Sequence, residues 1–195
     1  MQKNTPEGDM PERSIPNVGN IPTMAPSGSP FTDTEWKTLV TIPIQVGRAV
    51  MAVSPSGGIG MTKEVMALRD ALEKTRAVET KNPMLRQLGQ HLQGNMESIW
   101  SEAEHAFKAR WDSATVRQTA ITACQQAVAL LRKASPEDAM AYKEFIYSVA
   151  QKVAESSTEG GFMGIKANAS PISPEERTLL RDVANALGIQ HSPTS

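Results

Sequence analysis

Cysteine is almost missing from these 195 residues. The single one, Cys124, cannot form an internal disulfide or a thiolate metal cage, and its Ala-rich helical surroundings indicate a small buried hydrophobe. Aromatic residues make up only 5%, so the core must be built from Ala, Leu, Val and Met. No sign of charge dominates, with 20 Lys+Arg against 21 Asp+Glu. Without a basic run to attract a phosphate backbone, nucleic acid is not an expected partner. No apolar run approaches the ~18 residues of a membrane span, and the first residues carry no apolar signal-peptide core. Cytoplasmic localisation is therefore the expectation. Three histidines give little scope for acid–base work at neutral pH. No stretch alternates with period two, which argues against strands.

What is present is helical periodicity, bounded by a tail. Residues 1–30 hold six prolines among Gly, Ser and Asn and are expected to be a disordered Pro-rich tail, because each proline removes a backbone donor and no period survives the spacing. Residues 31–190 form the helical domain, and 191–195 a second short tail. Thr32-Asp33-Thr34-Glu35 fits a capping box, followed by a stripe of Trp36, Leu39, Val40, Pro43, Val46, Val50 and Val53. Pro43 inside the stripe predicts a kink. Ser54 to Gly58 ends this helix, and a second should run from about Met61 to Thr80 with Val65, Leu68 and Leu72 inward.

Asn82-Pro83 reads as an N-cap followed by proline at the first helical position. The short helix behind it is weakened by Gly89 and Gly94. The pattern is helical again from Met96 to Lys133 with a break near Trp111-Asp112-Ser113, and Val116, Ala120, Ala123, Ala127 and Leu131 face inward. Ser135-Pro136-Glu137-Asp138 caps the next helix, with the stripe Tyr142, Phe145, Ile146, Val149 and Val153. Ser173-Pro174-Glu175-Glu176 caps the last, with Leu179, Leu180, Val183 and Leu187 inward and Gly188 as its stop. The fold expected is all-α, a compact bundle of six to seven helices.

Two parts of the chain resemble each other. Trp36-Lys37-Thr38-Leu39-Val40 aligns with Tyr142-Lys143-Glu144-Phe145-Ile146, Gly57-Gly58-Ile59 with Gly160-Gly161-Phe162, and Glu64 followed by Leu68-Arg69-Asp70 with Glu176 followed by Leu180-Arg181-Asp182. The shared order indicates two pseudo-symmetric helical hairpins, since one hairpin alone cannot bury its apolar stripe.

The run from Tyr142 through Gly160-Gly161-Phe162 to Ser173-Pro174-Glu175-Glu176 and Gly188 resembles the tellurite-resistance TerB-like helical proteins. The ordered part as a whole is similar to an uncharacterised bacterial all-helical family of that type. The resemblance implies an all-helical soluble bacterial protein with a loose link to stress, and brings no activity. It also implies an acidic metal site in the helix-joining loops. Here those loops read Lys166 to Ile172 and Pro55 to Gly60 and supply no carboxylates, so no metal and no cofactor is expected.

No catalytic constellation is expected either. Ser56 to Lys63 lacks the spacing of a phosphate loop and reads as an interhelix turn whose glycines need left-handed angles. Glu102 and His105 form one Glu-x-x-His pair, whereas a di-iron bundle needs two with further glutamates. The expectation is a non-catalytic protein-interaction module with an unidentified protein partner, homodimerisation being left open. The alternative is a helical protein that binds a small apolar ligand or a metal. Candidate groove and contact residues are Trp36, Gly57, Gly58, Met61, Arg69, Asp70, Gly160, Gly161, Phe162, Arg181 and Asp182.

Overall fold

The computed structural model describes residues 24–53, 58–74, 81–94, 113–156 and 172–190. These form six α-helices, and among the described residues there is no strand. In chain order they are α1 (Asp33–Val53), α2 (Gly58–Lys74), α3 (Pro83–Gly94), α4 (Ser113–Leu130), α5 (Pro136–Ser156) and α6 (Pro174–Leu187), with a 3-10 turn, Leu131–Lys133, joining α4 to α5. None of them is long and apolar enough to cross a membrane.

The ends of the helices follow the expected chemistry. At the start of α1 the Glu35 amide donates to Thr32 Oγ1 at 3.3 Å and the Thr32 amide to Glu35 Oε2 at 3.0 Å, a reciprocal capping box. Asn82 Oδ1 accepts from the Leu85 amide at 3.0 Å ahead of Pro83, and Ser135 Oγ accepts from the Asp138 amide at 3.1 Å. Ser173 and Glu176 form a second capping box at α6. That helix stops at Gly188, whose φ of 65° is left-handed. Gly188 and Ile189 donate back to Asn185 and Ala184, both at 3.1 Å, which satisfies two carbonyls the helix end would otherwise leave orphaned.

α1 is the axis of the bundle, for it packs against every one of the other five helices. The expected single stripe is too narrow a description. Residues 39–44 and 46–51 are all buried, because a helix surrounded on every side has no solvent face to keep polar. α4 and α5 lie closest along it, α2 and α3 rest on α5, and α6 closes against α4. The inward residues expected for α4, α5 and α6 are buried.

Helix α1 runs on through Pro43. Proline has no amide hydrogen, so the carbonyl four residues earlier, on Leu39, loses its helical donor. The structure replaces it: the fully buried Tyr142 of α5 donates its hydroxyl to Leu39 O. Burial pushes the Tyr142 phenol well above its ordinary range, which keeps it protonated as a donor.

Two sequence expectations are corrected here. Gly58-Ile59-Gly60 is the first turn of α2 and so right-handed, because a helix start accepts glycine without positive φ. Residues 24–30, expected within the tail, are structured: Pro26 to Ser29 make a turn, the Ala25 amide donates to Asp33 Oδ1 at 2.8 Å, and Phe31 behind them is buried. Phe31 supplies the apolar weight that holds this short segment on α1. Residues 1–23, 75–80 (the expected end of α2) and 95–112 lie outside the described residues.

The matched positions of the two repeats share burial: Trp36 and Tyr142 are both buried, as are Glu64 and Glu176. Their surroundings differ. α1 touches all other helices, whereas its counterpart α5 lies against α1, α2, α3 and α6.

Candidate interaction face

The residues singled out in the sequence do not converge on one site. Trp36 is buried at 1% exposure, too deep to form the wall of an open groove. Its ring meets Phe31 at 6.1 Å and, edge-on, His91 of α3 at 6.1 Å. Trp36 Nε1 donates to His91 Nδ1 at 3.3 Å, so this nitrogen must be unprotonated to accept. Partial burial pulls the His91 pKa below its ordinary value, in keeping with that neutral form.

Arg69 and Asp70 are exposed on α2, and Arg69 pairs with Glu73 one turn on at 2.9 Å. In the second copy Arg181 is exposed, while Asp182 accepts from Arg117 Nε at 2.8 Å and also from its Nη2. One copy is thus a pair within its own helix, and the other ties α6 to α4. Gly58 and Met61 stand in the first turns of α2. Gly57, Gly160, Gly161 and Phe162 lie outside the described residues, as do Glu102 and His105.

The aromatic floor of Trp36 and Phe31 opens on a small pocket of about 260 Å³, with Met84 beside it and Lys133 and Asp138 among its other lining residues. The starts of α1, α3 and α5 gather here. Lys133 Nζ donates to Glu35 Oε1 at 2.6 Å, which holds the Glu35 carboxyl below its usual range. Asn82 Nδ2 donates to Asp138 Oδ1 at 2.8 Å. The charged groups are therefore committed to tying helix ends together.

A larger concavity lies elsewhere. α4 and Gln45 of α1 border a shallow trough of about 630 Å³, lined by Thr115, Gln118, Thr119, Thr122 and Gln126 among others. Gln45 is the one residue of 39–51 in α1 that is not buried. Between Arg117 and Arg132 no residue of the chain carries a charge. The exposed side of α4 in that stretch is Gln118, Thr122, Gln125, Gln126 and Ala129. Such a lining donates and accepts hydrogen bonds through amides and hydroxyls, and none of its groups moves a proton near neutral pH.

The apolar period of α4 marks its buried half and says nothing of its exposed half. The signal was the run of uncharged residues from Gln118 to Leu131, which looked like ordinary core because its small residues are Ala.

Cys124 sits on the inner side of the same helix, fully buried, and burial pushes its thiol up to about 12. It is inert toward electrophiles at neutral pH in the folded state. Among the described residues no three His, Cys, Asp or Glu side chains gather in a way that would hold a metal ion. Compared with known proteins, the chain matches no family model, no curated protein and no solved structure.

Proposed function

We propose that this chain is a non-catalytic helical protein that acts by binding a partner protein through the α4 trough. The observation that carries the reading is the uncharged trough of about 630 Å³ along α4, whose exposed lining is mostly apolar with amides and hydroxyls set into it. Exposed helical surface is usually charged on a solvated face, and an uncharged strip loses less on desolvation when a partner covers it. The TerB-like resemblance, carried by the residues from Tyr142 to Gly188, extends the proposal to a stress-related process in a bacterial cytoplasm.

The test is affinity capture with the wild type and with Thr122→Glu, which places a charge in the middle of the trough on an exposed site. A protein captured in stoichiometric amount by the wild type and lost with the variant supports the reading. An identical set of captured proteins from both overturns the trough as the docking face.

A second reading has one observation in its favour. The pocket of about 260 Å³ beside Trp36, lined mostly by polar groups such as Lys133, Asp138 and Ser135 over the buried rings of Trp36 and Phe31, has room for a small molecule. Native mass spectrometry distinguishes the two: a reproducible small added mass that disappears in Met84→Trp, which fills the pocket, would favour ligand binding.

A further inference from the structure

We draw no further inference here: the strongest candidate, the concavity of about 430 Å³ where the first turns of α4 and α6 meet beside Arg117, rests on two helix N-termini alone, since Arg117 is already tied to Asp182 and the lining also carries the Glu175 carboxylate.

Discussion

At the scale of single residues, the contact that decides most is the Tyr142 hydroxyl on Leu39 O. A buried carbonyl left without a donor costs about 1–3 kcal/mol, so Tyr142→Phe is expected to lower stability by that amount in urea titrations. The cause can be isolated. Pro43→Ala restores an amide that donates to the same carbonyl, and in that background the Tyr142→Phe penalty should shrink. A double-mutant cycle showing an unchanged penalty would mean that the hydroxyl is not standing in for the missing amide.

His91 gives a second expectation at this scale. Its pKa is lowered in the folded chain from 6.5, so between the folded and the unfolded value the unfolded state binds more protons. Stability contributed by neutral His91 is full above pH 6.5 and is lost as the pH falls through the folded value. The bond from Trp36 Nε1 goes with it, because a protonated Nδ1 cannot accept. His91→Asn, which keeps an acceptor at this position, should flatten the stability profile between pH 7.5 and 5.5. Equal slopes for both proteins would remove the role given to His91.

At the scale of elements, α1 sets the tolerances of the rest. A Cβ built on Gly47 would lie 2.5 Å from Leu68 Cδ1, and Leu68 is itself buried without exposure, so it has little room to turn away. Overpacking costs about 1–3 kcal/mol and alanine returns up to about 1 kcal/mol of helix propensity. Gly47→Ala should therefore destabilise by up to about 2 kcal/mol, as read by denaturant midpoint. The same change in a Leu68→Val background, where the offending Cδ1 is gone, should be close to neutral or stabilising.

The helices were legible in the sequence where local chemistry decides them. Thr32, Asn82, Ser135 and Ser173 cap their helices because a hydroxyl or amide oxygen three residues ahead of an unpaired amide needs no tertiary context. The stripe of α5 was legible for the same reason. α1 was read too narrowly because period alone cannot tell a helix with one wet face from one enclosed by five others. Gly58 and Gly60 were read as a turn because glycine signals freedom without saying whether it is used. The α4 trough escaped notice because a polar, uncharged face has no motif. Its meaning depends on Gln45 standing across from it, 77 residues before Thr122 in a chain whose pairing only the fold reveals.

At the scale of the whole molecule, the six helices are held by two unlike sets of interactions. One is the continuous apolar core around α1, from Phe31 to Leu187. The other is a set of polar ties between elements: Glu35 to Lys133, Asn82 to Asp138, and Arg117 to Asp182. The ties are partly exposed and each contributes little on its own, so they serve to fix register more than to supply stability. Asp182→Asn is expected to change stability by less than about 1 kcal/mol while raising hydrogen exchange in the first turns of α4 and the facing middle of α6. A larger loss would show that this tie, and not the core, holds α6 in place.

The lone thiol of Cys124 makes the chain its own stopwatch. With no other sulfhydryl in the sequence and none of this one accessible in the closed state, each molecule offers a maleimide one target, and only while the bundle is open. Modification rates at rising reagent concentration then separate how often the helices part from how long they stay apart. The interval between openings, a quantity that equilibrium titrations never deliver, can be counted directly in labelled chains.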